Sequence, residues 1–206
     1  MRNEKPKNIV HILKRGDIGV MPTDTIYGLV GSAFKPKTVQ RIYRLRRRNP
    51  KKPMIILIGS LKQLKLFGIR PDRKITRLLW EIWLNRRAVK PFSNSRELEN
   101  RPTSVILPLK AKSSKLKARL RYLHRGTNSL AFRLPRPPWL RRLLAKVGPL
   151  VAPSANPEGR SPARTIRQAK KYFGDKVDFY IDGGRISGKP SRLVQLIDEK
   201  IKILRK

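Results

Sequence analysis

Ile18-Gly19-Val20-Met21-Pro22-Thr23-Asp24-Thr25-Ile26-Tyr27-Gly28-Leu29 is the stretch on which the fold turns. Residues 18–21 form a short apolar run of the kind found in buried strands, and Pro22 stops it. Three hydroxyls and a carboxylate then crowd into the five positions 23–27, and Gly28 permits close backbone approach. Such a cluster at a strand end suits a small polar ligand; a hydroxyl-capped turn has the same composition. A strand running into a polar turn is the repeating unit of an α/β sandwich, provided helices alternate with such strands along the chain.

They do. Before the stretch, Ile9, Ile12 and Leu13 share one helical face ahead of the turn at Gly16-Asp17. After it, Pro36 opens a helix whose buried stripe is Val39, Ile42, Tyr43 and Leu45, and Asn49-Pro50 closes it. Residues 54–58 read as a buried strand, and 61–67 and 75–84 have helical spacing. Further strands fall at 103–107, 129–134, 150–152 and 177–181, with helices at 139–147 and 166–173 and a terminal hairpin over 193–197 and 201–204. Residues 85–101 and 110–117 read as mobile loops. The alternation predicts one α/β domain over 1–206, an α/β sandwich around a twisted sheet.

Composition narrows the chemistry. Fifty Lys and Arg against thirteen Asp and Glu give a net charge of +37, and neither 25–71 nor 100–157 contains an acid. Such a surface seeks polyanions, although a merely solvated basic face has the same composition. A hydrophobic fraction of 39% still allows a core. The absence of cysteine removes disulfides, thiolate nucleophiles and Cys-based metal sites. His11 and His124 have no second ligand at metal-binding spacing, so no metal site is expected from the protein itself. Apolar runs fall far short of the ~20 residues that cross a bilayer, so a soluble cytoplasmic protein with no membrane partner is expected.

Two further constellations carry candidate chemistry. In Arg46-Arg47-Arg48-Asn49-Pro50-Lys51-Lys52-Pro53, cations at a helix C-terminus complement its dipole, but five together repel one another unless an anion joins them. Arginine forks and lysine point charges suit a triphosphate, and no Gly-rich Walker loop is present. In Ala152-Pro153-Ser154-Ala155-Asn156-Pro157, Ser154 and Asn156 are neutral donors able to grip phosphate or ribose, or to satisfy their own turn. Serine hydrolysis is disfavoured, because there is no G-x-S-x-G elbow and no acidic orienter near His124.

Taken in this order, the three elements resemble the YrdC-type threonylcarbamoyl-AMP synthase family, over about residues 7–205. Its P-T-D/E-T-x-Y-G-L motif is matched by residues 22–29, its K-x-R and K-P segment by Arg46, Arg48, Lys52 and Pro53, and its S-x-N by Ser154 and Asn156. Residues 129–135 look like the family's A-x-R-x-P strand, Asp182-Gly183-Gly184 like its D-G-G turn, and residues 190–196 like its closing P-S-T strand. The chain departs from the pattern at Arg46, where the family has Lys, and at Arg192 and Gln195, where it has Thr and Asp. A W-P-G-P segment is reduced to Asn100-Arg101-Pro102-Thr103.

The resemblance implies a twisted mixed β-sheet flanked by helices, and a short, single-domain nucleotidyltransferase that converts L-threonine, bicarbonate and ATP to threonylcarbamoyl-AMP and pyrophosphate, the first step of tRNA threonylcarbamoyladenosine formation. It places Arg46, Arg48 and Lys52 in catalysis, and Arg48, Lys52, Arg133, Ser154, Asn156, Arg185 and Ser191 around the nucleotide. Thr23, Thr25 and Tyr27 would hold threonine, and Mg2+ would accompany ATP. With the charge, it also points to tRNA or double-stranded RNA and to tRNA-modification proteins as partners. The alternative is a family member that binds RNA or the ribosome with weak or no catalysis.

Overall fold

The computed structural model describes residues 8–84, 101–109, 114–197 and 200–205. These contain nine strands: β1 (Gly19–Pro22), β2 (Tyr27–Ser32), β3 (Ile55–Leu57), β4 (Thr103–Pro108), β5 (Ser129–Arg133), β6 (Leu150–Val151), β7 (Phe179–Tyr180), β8 (Arg192–Ile197) and β9 (Lys200–Arg205). They form one sheet in the order β7-β1-β2-β6-β3-β5-β4-β8-β9. The pairs β7–β1, β3–β5 and β4–β8 are parallel and the other five antiparallel, so the sheet is mixed, as the resemblance implies.

Around it lie α1 (Ile9–Arg15), α2 (Pro36–Leu45), α3 (Arg73–Trp83), α4 (Ser114–Arg119), α5 (Arg121–His124), α6 (Pro138–Val147) and α7 (Ile166–Phe173). Local chemistry sets their ends. Asn8 caps α1 by accepting from His11 N at 3.2 Å, and Gly16 at φ 103° terminates it. Pro36 stands in the first turn of α2, Asp72 caps α3 and Thr165 caps α7. Alternate strand residues face opposite sides of the sheet. Val20, Leu29 and Ile56 join one core with Val39 and Ile42 of α2 and Leu79 of α3. Met21, Val30 and Leu57 join the other with Leu13 of α1 and Leu140 and Leu144 of α6.

Three expectations change. The polar stretch after β1 is only the loop of a hairpin, for the chain re-enters the sheet as β2 with Pro22 opposite Tyr27, and all six β2 residues are buried. Residues 114–117, read as loop, begin α4, whose Leu116 packs on the first core with Leu120 and Leu123. The helix at Leu61–Phe67 is a 3-10 helix. Of the other expected loop, residues 85–100 lie outside the described residues, as do 110–113. Among the described residues no helix is long and apolar enough to cross a membrane.

Candidate functional site

Hairpin β1–β2 is tied sideways to the S-x-N turn. Leu29 N donates to Pro153 O and Ala155 N to Tyr27 O, each at 2.9 Å, and Gly28 bridges to Ser154. A Cβ on Gly28 would sit 3.0 Å from the Thr23 methyl, so glycine suits this crossing. Within the loop, Thr23 Oγ1 donates to Ile26 O at 2.7 Å and lies 3.0 Å from Thr25 Oγ1, leaving the Thr25 hydroxyl to donate to Thr23. The Tyr27 hydroxyl donates to Gly184 O at 2.7 Å and accepts from Gly183 N at 2.9 Å, with Asp182 Oδ1 at 3.2 Å. The D-G-G turn is thereby pinned to β2, and burial pushes the Tyr27 phenol up.

Arg46 follows the last turn of α2 and is only 4% exposed. Its Nε donates to Asn156 O at 2.8 Å, and one terminal nitrogen reaches Ser154 Oγ at 3.1 Å and Asn156 Oδ1 at 3.2 Å. The Asn156 amide donates onward to Pro157 O and Arg160 O. Burial and then repulsion from Arg48 pull the Arg46 guanidinium down to about 10. The motifs at 46 and 154–156 are therefore joined by direct hydrogen bonds across 110 positions of sequence.

The basic loop folds over itself. Arg48 donates to Lys52 O at 3.1 Å and Pro53 O at 2.9 Å. Lys52 Nζ pairs with Glu158 Oε1 at 2.9 Å, and Glu158 Oε2 accepts from Asn49 N at 2.6 Å. The anion that this cluster requires is thus supplied in part by the chain itself, and the Lys52 hydrogen bond holds Glu158 below the ordinary carboxylate range.

Arg133, at the end of β5, is also only 4% exposed and pairs with Asp24 at 3.0 Å. Burial lowers its pKa, and Asp24 opposes that effect. Ser191 Oγ lies 2.9 Å from Ser104 Oγ, while Arg205 on β9 donates to Ser191 O at 3.1 and 2.8 Å. Burial, followed by repulsion from Arg133, Arg101 and Arg48, lowers the Arg205 pKa.

These elements surround a cavity of about 290 Å³ at the ends of β1, β5 and β6, with Thr23, Thr25, Tyr27, Arg46, Arg48, Arg133, Ser154, Ser191 and Arg205 in its wall. Among the described residues, none that lines it is acidic. Asn156 lies behind Arg46; Lys52 faces Glu158 rather than the cavity, and Arg185 lines a neighbouring groove. Arg205, Asp24 and Glu158 are the site residues that the sequence reading did not single out. Only Asp24 had a signal, its place inside the first motif. A concave, cationic wall with a few fixed hydroxyls can bind an anion and a small zwitterion side by side, and the described residues of the wall form no nucleophile–base pair. His124 is occupied structurally, with Nε2 bonded to Lys117 O at 3.0 Å and Nδ1 accepting from Gly126 N.

Known proteins share this framework. Threonylcarbamoyl-AMP synthase of Neisseria gonorrhoeae is 32% identical over 187 residues, covering 90% of this chain and 86% of that one. The enzyme of the same name from Marinobacter nauticus is 30% identical over 186 residues, covering 88% and 86%. Among solved structures, P. abyssi Sua5 complexed with L-threonine matches with a TM-score of 0.77 at 24% identity; all of this chain corresponds to 54% of that one. E. coli YciO matches with a TM-score of 0.72 at 22% identity, over 96% of this chain and 86% of that one. Both likenesses speak to the fold. The model of the Sua5, YciO and YrdC proteins, described as "Telomere recombination", fits residues 11–206. A family model that matches almost the whole chain, with relatives 32% and 30% identical along most of their length, places this protein in the Sua5/YciO/YrdC family.

Proposed function

We propose that the protein is an L-threonylcarbamoyladenylate synthase. The observation that carries this reading is the convergence of the hairpin loop, the basic loop and the S-x-N turn on one acid-free cavity. In this scheme the threonine amine condenses with bicarbonate: a C–N bond forms, water leaves, and a carbamate results. A carbamate oxygen then attacks the α-phosphorus of ATP while the bond to the β-phosphate oxygen breaks and pyrophosphate departs. No covalent enzyme intermediate is required, so the protein contributes position and charge. Arg46, Arg48, Arg133 and Arg205 face the accumulating negative charge, Ser154 and Ser191 hold the nucleotide with Asn156 fixing Arg46, and Thr23, Thr25 and Tyr27 shape the threonine end. Lys52 and Arg185 act from outside the wall by attracting phosphate.

Mg2+ enters with ATP as part of the substrate. Asp24 is committed to Arg133 and Glu158 to Lys52, so phosphate oxygens rather than these side chains hold the ion. A cytoplasmic place of action and an onward transfer to tRNA by partner proteins belong to the same reading. The second reading, an RNA-binding family member with weak catalysis, is favoured by the net charge of +37 and by the commitment of Arg46 to Ser154 and Asn156. Pyrophosphate release that requires both threonine and bicarbonate separates the two. Arg48→Ala should cut it at least about tenfold in kcat/KM with little change in Tm, since the replaced bonds are two half-exposed ones to backbone carbonyls. Release that is absent from the wild-type protein, or unchanged in Arg48→Ala, would remove the cavity from the chemistry.

A further inference from the structure

Beside the cavity, and sharing only Thr23 and Thr25 with it, runs a second and larger groove of about 890 Å³ between α6 and the strap formed by residues 181–188. Its floor is apolar, with Val10, Met21, Leu143 and Ile181 among its residues. Trp139, Arg142, Leu143 and Lys146 line it from α6, a spacing of three, four and seven that puts them on one helical face. Trp139 is 42% exposed and, unlike the similarly exposed Trp80 of α3, it stands in the wall of a groove, beside cations of its own helix face.

Electrostatics decide what such a groove can hold. Arg142, Lys146 and, from the strap, Arg185 are exposed, and among the described residues none of the three has an ion-pair partner. Of the two carboxylates in the lining, Asp24 is paired with Arg133, while Asp182 accepts from Gly184 N at 2.8 Å and keeps its charge, one against the three cations. The groove thus offers a flat aromatic face with cations spaced along it. That combination fits a chain whose flat bases stack while its phosphates are neutralised. A duplex keeps its bases stacked on one another and cannot use the indole, and an acidic peptide does not carry a flat ring beside each anionic group as a nucleotide does.

We propose that this groove binds single-stranded RNA, with a base stacked on Trp139 and the backbone tracked by Arg142, Lys146 and Arg185. The site extends the RNA part of the function proposed above and rests on it for its biological use, but its occupancy does not require the cavity to be catalytic. Because a protein of charge +37 holds any polyanion at low salt, the test must compare variants of equal charge. Fluorescence anisotropy of a labelled single-stranded RNA of about twelve nucleotides, and of its duplex, is measured at about 0.3 M salt, where diffuse attraction is weak. The variants are Trp139→Ala, Arg142→Glu with Lys146→Glu, and a control on the opposite side of the sheet, Lys115→Glu with Arg119→Glu.

The single strand should bind better than the duplex, and Trp139→Ala should weaken it about tenfold without altering charge. Reversal at 142 and 146 should cost far more than the equal reversal at 115 and 119. Indifference to Trp139→Ala, or equal losses in the two double variants, would overturn the site and leave only diffuse attraction. Quenching of indole fluorescence by the unlabelled strand, lost in Trp139→Phe, provides a second readout. Threonine-dependent pyrophosphate release is followed on the same preparations: the groove variants should keep it. Its absence from the wild-type protein would count against the synthase reading alone.

Discussion

Replacing Arg46 by Lys restores the residue usual in the family and tests how the cavity is held together. The guanidinium makes three hydrogen bonds, at 2.8, 3.1 and 3.2 Å, joining α2 to Ser154 and Asn156. A lysine ammonium on a thinner stem reaches one of those acceptors and leaves two without their donor. At roughly 1 kcal/mol net for each bond, Arg46→Lys should destabilise the fold by roughly 2 kcal/mol. For a chain of this size that corresponds to a fall in Tm of roughly 4–8 °C. With Ser154 and Asn156 less firmly placed, the apparent KM for ATP should rise several-fold while kcat changes little, because binding rather than the transition state loses support. Scanning calorimetry and pyrophosphate release on one preparation read both effects. A Tm within about 1 °C of wild type would show that the bonds to the S-x-N turn contribute nothing in solution. A kcat raised about tenfold would show instead that arginine obstructs the chemistry.

Three further outcomes are expected. Asp24→Asn leaves Arg133 charged and buried without its counter-ion, which should cost about 3–5 kcal/mol, and Arg133→Met in the same chain should recover most of it; an unchanged melting curve for Asp24→Asn would contradict the buried pair. Gly188→Ala puts a methyl 2.0 Å from the Thr25 carbonyl oxygen, so the strap must lift and threonine affinity by calorimetry should fall while the core holds. Glu158 has a folded pKa below its unfolded one, so its contribution to stability is complete above the unfolded value and lost as pH falls through the folded value. Melting curves of wild type and Glu158→Gln should therefore differ near neutral pH and converge in acid; parallel curves down to the lowest pH would refute the pairing with Lys52.

The parts of the fold legible in the sequence are those whose burial is periodic. Helix α2 shows its stripe of Val39, Ile42 and Tyr43 between Pro36 and the stop at Asn49-Pro50, and the helices around Leu140 and Ala169 do the same. Strand β2 hides because it is buried on both faces and carries Gly28 and Gly31, so it shows neither alternation nor β-branched density. Helix α4 hides behind its lysines, although Leu116, Leu120 and Leu123 stand at spacings of four and three. The motifs name the residues around the cavity but not their partners. Nothing in a single chain of letters links Asp24 to Arg133, Glu158 to Lys52, or Arg205 to Ser191, because those pairs exist only through strand order and crossover.

The acid-free lining of the cavity also determines how the protein responds to its solvent. Among the described residues no carboxylate hydrogen-bonds Arg46, Arg48 or Arg205 there, and repulsion between neighbouring arginines weighs on Arg46 and Arg205. Sulfate, phosphate or any other small oxyanion relieves that repulsion, and so competes with ATP while raising the melting temperature. Phosphate-buffered preparations should look sturdier and less active than those in a zwitterionic buffer, an inverse relation between robustness and turnover written into three arginine side chains.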